Sequence, residues 1–594
     1  MIYKTNSPKS NGGLKILKSE NLKILLFYVF SLSLVVSYAY RYFYPLEEEV
    51  NYQQLTLTNA KGILKLPNFS PDGKYVVYAQ RKEGVLSDSI VMIDPNYLTK
   101  KLLIKEAGNI LDLTWSPNSK SIVYSQWKSI HNRKCKISII NLDDDYNVVS
   151  NRELLECSDG SRVRLAWGTK NERIYFNERE SFGELSSIFS YSLATNLKTQ
   201  LALPAQIENQ KRDYFIVGNS SGSHLAVIRF QSSNKTELSV FETEEDEVIS
   251  TGHVLENIDS VTWFGGEQKL LLSSADQLKI YDYQKDHFEI LAPRPSHSES
   301  FHVSESTNSL AYSSHQSNLH ILSYDLPQNT EQVQPNLAKI TSINISKQTS
   351  NEYMPSFANK SNTMAYLSDA SGKSQIWLRE QNGEIRQVSD SPVSLGLSPL
   401  KWSPDDLSIL FQHQDEIFKL IIKTQKLERL IDSSHMPFIA SWARSNNAIF
   451  YSSEKSGDWQ IWRYDFSTDQ HRQITSQGGY SANQHVSGDL YVSRLHEQGL
   501  WRLSIQDRYE KAEKIIDGFD AINYSSWKLK GDDIYYLSLT DDYVGIVGYN
   551  ISNKSKQKVF NLDSQMKPYF AINENQLLIT RTENSQSSIE LLTY

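Results

Sequence analysis

From about residue 60 the chain alternates apolar and polar positions with a period of two, in short runs cut by turn residues. In Lys74-Tyr-Val-Val-Tyr-Ala79 β-branched and aromatic residues fill such a run. Ahead of it, Pro71 presets the first turn position and Asp72-Gly73 tolerates left-handed geometry. The same arrangement restarts repeatedly: an aromatic residue, a Ser-Pro-Asp-Gly-like turn, an alternating run, a polar tip and a second β run. The clearest restarts are Phe69–Tyr78, Trp115–Tyr124 and Trp402–Phe411. Weaker ones begin at Trp167, Trp263, Phe357, Trp442, Trp527 and Phe570, and three lack the aromatic, near Val217, Val303 and Val486. Twelve restarts give a mean period of about 45.5 residues.

Each copy accommodates about four short antiparallel strands. A lone sheet of that size leaves both faces wet. Stacked about an axis, neighbouring sheets bury each other, with the Trp or Phe between them. A linear β-solenoid is the alternative, although its periods are usually shorter. Propellers hold about four to eight blades, so twelve copies should divide. Two segments are expected to act as closing strands: Gln53–Thr58, before the first copy, and Lys339–Ser346, before the seventh. The expectation is an all-β chain with two tandem six-bladed propellers, residues 50–338 and 339–594; seven plus five is the alternative division.

The N-terminal region reads differently. Ile24–Tyr40 is 17 residues without a charge, preceded by Lys4, Lys9, Lys15, Lys18 and Lys23 and followed by Glu47, Glu48 and Glu49. With Arg41 snorkelling, the apolar stretch reaches Tyr44. This predicts a cytoplasmic tail (1–23), a single transmembrane anchor (24–44) and an external remainder. Tyr38, Tyr40, Tyr42, Phe43 and Tyr44 suit an outer interfacial belt. The alternatives are a signal peptide cleaved after Ser37-Tyr38-Ala39 and a buried core helix.

Composition narrows the function classes. The formal charge of −8 argues against a general nucleic-acid binder. Two cysteines exclude a disulfide-dense scaffold and a four-cysteine zinc site within one chain. Cys135 and Cys157 flank a predicted hairpin whose tip is Asp145-Tyr146-Asn147, and their midpoint is the tip itself. They can therefore face each other and form a disulfide in an oxidising compartment; two buried thiols or a redox pair are the alternatives. Gly218-Asn-Ser-Ser-Gly222 fits a nucleophile-elbow pattern but lies where other copies turn, so Ser220 reads as a hairpin residue. The acidic runs Asp143–Asp145, Asp405-Asp406, Asp532-Asp533 and Asp541-Asp542 read as turns rather than Ca²⁺ ligands. The 13 histidines show no metal-binding spacing. No catalytic, cofactor or metal residue is predicted.

The unit W/F-S-P-D-G-K-x-I-x-Y/F followed by S-G-x-x-x-I-W resembles the TolB-type propeller repeat, carried most clearly by Phe69–Tyr78, Trp115–Tyr124, Trp402–Phe411 and Ser453–Tyr464. Similar WD-like repeats occur in the periplasmic part of CadC-like membrane-bound regulators and in prolyl oligopeptidase relatives. The 23 residues before Ile24 are too few for the winged helix of the former, and the repeats leave no room for the hydrolase domain of the latter. The resemblance implies a bacterial inner-membrane protein with its bulk in the periplasm, acting as a non-catalytic sensing or interaction module for a protein, peptide or glycan. A propeller-based lyase or glycosidase, and a regulator remnant without its DNA-binding domain, are the alternative functions.

Overall fold

The computed structural model describes residues 53–593, except 130–132, 159–160, 180–185, 202–213, 233–234, 257, 275, 327–340, 343–349, 391–398, 414, 496, 520–522, 524–525, 541–542 and 564. The segment Ile24–Tyr44 lies outside these residues. No described helix is long and apolar enough to cross a membrane.

The described chain is all-β, apart from two single-turn 3₁₀ helices. It forms nine four-stranded antiparallel sheets and one branched nine-stranded sheet. These resolve into twelve units in chain order. The first strands of units 1 to 6 are Gln53–Phe69, Asn109–Trp115, Leu165–Trp167, Tyr214–Gly218, Ser260–Trp263 and Ser298–Ser304. Those of units 7 to 12 are Glu352–Phe357, Lys401–Trp402, Pro437–Trp442, Ser481–Gln484, Lys528–Lys530 and Met566–Ile572.

Register gives each first strand a common reference slot, the residue opposite the first apolar position of the second strand. Phe69 pairs with Val76, Trp115 with Ile122, Trp402 with Ile409 and Trp442 with Ile449. Where the repeat is weak, the slot falls to Gly218, Gln484, Leu529 or Ile572, one or two residues from the position expected from sequence. The core lies between adjacent sheets. Val77 and Ile90 of unit 1, for example, share a cluster with Trp115, Ile122 and Ile140 of unit 2.

The slot tryptophans also fasten one unit to the one before it. The indole Nε1–H of Trp115 donates to Asn68 O at 3.1 Å, and that of Trp167 to Thr114 O at 3.3 Å. Trp263 donates to Val217 O at 2.8 Å, Trp402 to Ser356 O at 3.0 Å and Trp442 to Lys401 O at 2.9 Å. In every case the acceptor is the residue just before the preceding unit's slot. Tryptophan suits the slot because its body fills the gap and its single donor meets an otherwise open carbonyl.

Units 6 and 12 depart from a simple tandem. Both expected closing strands pair into these two sheets, 53–61 in unit 6 and Thr341–Ser342 in unit 12. The third strands, however, are exchanged. Ser309–Asp325 and Gln576–Thr593 run antiparallel along nearly their whole lengths. Residues 586–593 sit in unit 6, between 309–316 and 53–61. Residues 318–325 sit in unit 12, between 576–583 and Thr341–Ser342. The expectation that each half supplies its own strands here is corrected by this pairing, because a strand's pattern names its faces and not its partner.

Candidate functional site

The Ser-Pro-Asp turns are built from within. Ser70 Oγ donates to Asp72 Oδ1 at 2.6 Å and accepts from Tyr75 N at 3.0 Å. Ser403 and Asp405 repeat this at 2.6 Å, with Ser408 N donating back to Ser403 Oγ at 2.9 Å. Gly73 takes a left-handed φ of 71°, and a Cβ there would lie 2.2 Å from Ser306 Oγ of unit 6. The second acidic residue reaches the neighbouring unit, since Asp406 accepts from the backbone N of Asn359 at 2.8 Å and of Lys360 at 2.7 Å. Asp143 accepts from Asn147 N at 2.7 Å at the hairpin tip. Asp532 accepts from Ser552 Oγ at 2.7 Å, and Asp533 from Asn550 Nδ2 at 2.8 Å. These carboxylates are consumed by turn and inter-unit bonds. Asp541-Asp542 lies outside the described residues. Among the described residues no group of three or more His, Cys, Asp or Glu could hold a metal ion.

Ser220 lies in the turn between Tyr214–Gly218 and His224–Ser232 and donates to Glu305 Oε1 at 3.0 Å. No histidine follows it in elbow geometry: His224 begins the next strand. Cys135 and Cys157 are direct cross-strand partners joined by a disulfide, with Cα atoms 4.9 Å apart and Tyr146 at the tip. A space of about 90 Å³ between units 7 and 8, lined mainly by Phe411, His413, Phe418 and Leu427, is too small for more than a few heavy atoms.

The residues just before the slot carry a different chemistry in the two halves. In units 1 to 6 they are Asn68, Thr114, Ala166, Val217, Thr262 and His302. His302 Nδ1 accepts from Phe69 N at 3.2 Å, and burial pushes the imidazole down to about 4. In units 7 to 12 they are Ser356, Lys401, Ser441, Asn483, Lys528 and Ala571. Two of these are lysines, neither makes an ion pair among the described residues, and the tier holds no carboxylate. Burial pushes Lys401 down to about 8. Burial, and secondly the charge on Lys401, holds Lys528 well below the usual lysine range. Both side chains are half-buried, so water still touches them.

The first half treats a buried lysine in the opposite way. Lys65 lies 3.0 Å from the fully buried carboxylate of Asp88, which also takes Arg81 at 2.7 Å and Ile110 N at 2.7 Å. Burial lowers Lys65, and the Asp88 charge opposes that shift. The unpaired lysines were not foreseen from sequence. Lys401 immediately precedes a clear Trp-Ser-Pro, but Lys528 shares its tier only once register shows that Leu529, not Trp527, holds the slot.

Residues 341–568 match the family model described as TolB beta propeller domain. The chain thus carries a TolB-like propeller fold, as the repeat implied. No curated protein matches it. Among solved structures it is similar to TolB from Acinetobacter baumannii, at 13% identity and a TM-score of 0.32, over 55% of this chain and 81% of that one. It is similar to the propeller domain of the Trilobed protease from Pyrococcus furiosus, at 14% identity and 0.30, over 55% and 80%. The tricorn protease gives 8% identity and 0.29, over 85% of this chain and 59% of that one. At TM-scores of 0.29 to 0.32 these likenesses carry no argument, and the propeller fold rests on the family match and on the sheets themselves.

Proposed function

We propose that the protein is a non-catalytic, membrane-anchored binding module made of two six-bladed propellers, held in the bacterial periplasm by the segment Ile24–Tyr44. The observation that carries this reading is the order of contacts among first strands. Within units 1 to 6 each touches the next, and Ser298–Ser304 returns to Gln53–Phe69. The Phe69–His302 bond and the fit of Gly73 against Ser306 support closure there. In the second half Glu352–Phe357 touches Met566–Ile572, Met354 N donates to Thr580 Oγ1 at 3.3 Å, and Asn573 Nδ2 donates to Asn362 Oδ1 at 3.2 Å.

Closed rings of this kind offer rigid turn surfaces and a central bore, which suit recognition of a protein, peptide or glycan. The lysines before Ile24 and the glutamates after Tyr44 favour a cytoplasmic N-terminus. A sensing role comparable to that of CadC-like regulators, through a partner in the membrane, fits this topology; neither a nucleic-acid partner nor a cofactor is part of the reading. The test is protease treatment of spheroplasts carrying the full chain, with in vivo photo-crosslinking from the Asp72 and Asp405 turns. Digestion from outside, carbonate-resistant membrane association and one reproducible crosslinked partner are expected. Recovery in the soluble cytosolic fraction would overturn the localisation. Turnover of a glycan or peptide by the purified chain would overturn the non-catalytic reading.

A further inference from the structure

We propose that Phe438, Trp459 and Tyr480 form a saccharide platform, on which the apolar face of one pyranose ring of an oligosaccharide rests. The inference deepens the binding reading above by naming a ligand class, and it rests on that reading.

The three side chains come from two neighbouring units and meet at one end of their sheets. Phe438 opens the first strand of unit 9, Pro437–Trp442, whose Pro437 pairs with Ser453 at the end of the second strand. Trp459 closes the turn that follows Ser453, and Tyr480 directly precedes the first strand of unit 10, Ser481–Gln484. Ring centroids lie 5.6 Å apart for Phe438 and Trp459, 5.7 Å for Phe438 and Tyr480, and 5.0 Å for Trp459 and Tyr480. The last pair is perpendicular, at 88°. Backbone bonds fix the supports. Gly479 N donates to Trp459 O at 2.8 Å, and Tyr480 N to Ser493 O at 2.7 Å. Only glycine permits this approach, because a Cβ at Gly479 would lie 2.6 Å from Ile461 Cγ1.

All three rings are half-buried, and among the described residues they stand outside the hydrophobic cores on either side of unit 9. The slot tryptophans direct their indole donor at the preceding unit. Trp459 Nε1 donates to no group among the described residues.

Size and shape select the ligand class. An aromatic side chain offers about 150–250 Å², so three half-buried ones together present on the order of 200 Å². A stable protein interface needs roughly 800 Å² from each partner, several times more. The rings touch one another, which leaves no space between them for a cation, as an aromatic cage has. The perpendicular pair makes a step with one flat floor, whereas a proline-rich segment lies along a groove. A pyranose fits such a step: its C–H face packs on an aromatic ring, and its hydroxyls point outward at the rim. The Trp459 indole can donate to one hydroxyl. Ser456, Ser476 and Gln477, exposed in the two connections that carry Trp459 and Tyr480, supply further hydrogen-bonding groups.

The experiment is calorimetric titration of the purified full chain, in a sugar-free detergent, with maltotetraose, cellotetraose and chitotetraose. Sorbitol, which has the hydroxyls without the ring, is the control. Binding of at least one tetrasaccharide and none of sorbitol is expected. Trp459→Ala should lose at least tenfold in affinity and Trp459→Phe less, while Tyr97→Ala, an exposed ring in a turn of unit 1, retains it. A parallel measurement needs only the wild-type chain. In saturation-transfer NMR the C–H protons of one pyranose face should receive more saturation than those of the other. Absence of binding by all three tetrasaccharides, unchanged affinity in Trp459→Ala, or equal saturation of both faces would each overturn the proposal. Binding of decaproline that Trp459→Ala abolishes would overturn the ligand class. Each of these results leaves a crosslinked protein partner, and with it the broader binding reading, intact.

Discussion

Ile589 and Ile579 lie ten residues apart on one strand, yet they belong to different cores. Ile589 is fully buried among Leu57, Leu64, Phe69, Val76, Tyr78 and Ile93 of the first half. Ile579 is fully buried with Leu537, Ile546, Phe570 and Leu577 of the second. Truncating Ile589 to Ala removes about three methylene equivalents, worth about 0.8 kcal/mol each. The remaining void adds about 24 cal/mol per Å³, on the order of 1 kcal/mol when roughly 50 Å³ persists. A local loss of about 3 kcal/mol is therefore expected, close to two decades in amide protection. Hydrogen exchange read by mass spectrometry should show that loss in peptides covering residues 63–93 and 309–316. Peptides of units 8 to 10 should be unchanged. Ile579→Ala should give the converse, with the loss confined to units 11 and 12. If Ile589→Ala instead loosens units 11 and 12 and spares residues 63–93, the strand exchange is wrong.

Three further outcomes follow from named contacts. Trp402→Phe keeps most of the packing but removes the bond to Ser356 O, so it should cost about 1 kcal/mol, against about 3–5 kcal/mol for Trp402→Ala; equal losses in urea unfolding would contradict the indole's fastening role. Reducing Cys135–Cys157, which closes a loop with a sequence separation of 22, should cost up to about 3 kcal/mol on a chain-entropy estimate, and an unfolding midpoint indifferent to reductant would exclude a stabilising disulfide. The third concerns His302, which must stay neutral to accept from Phe69 N; the unfolded chain takes its proton near pH 6.5 and the folded chain only near pH 4. Its contribution is therefore present above about pH 6.5 and is lost as pH falls toward 4, by on the order of 3 kcal/mol. A His302→Gln variant should show a flatter stability profile across that window, and an identical profile would refute the assignment.

The fold was legible to the degree that local chemistry repeats. The Ser-Pro-Asp turn specifies its own hydrogen bonds, so Ser70-Asp72 and Ser403-Asp405 were readable as turns without the structure. The cysteine pairing was readable because a hairpin places residues symmetric about its tip opposite one another. The exchange of third strands was not readable: 309–316 and 318–325 carry similar alternation, and nothing local states that 586–593 lies beside the first and 576–583 beside the second. The unpaired lysines were hidden for a related reason. Lys528 sits beside a tryptophan that looks like a slot residue, and the two-residue offset appears only in the pairing of Leu529 with Ile534. Register is a property of two strands at once, and one strand's sequence underdetermines it.

The crossed strands also bear on the order in which the molecule can be completed. A chain is made from its N-terminus, and residues 586–593 emerge about 270 residues after the 309–316 segment they must cover. Until then unit 6 offers open edges on 309–316 and on 53–61, each able to pair with another chain. During synthesis the first half therefore waits, nearly finished, for a strand from the far end of the chain. Shielding those two edges over that interval is a task for whatever accompanies the nascent protein. Once both crossings are made, cutting the chain between the halves would leave them tied by two interlocked ladders.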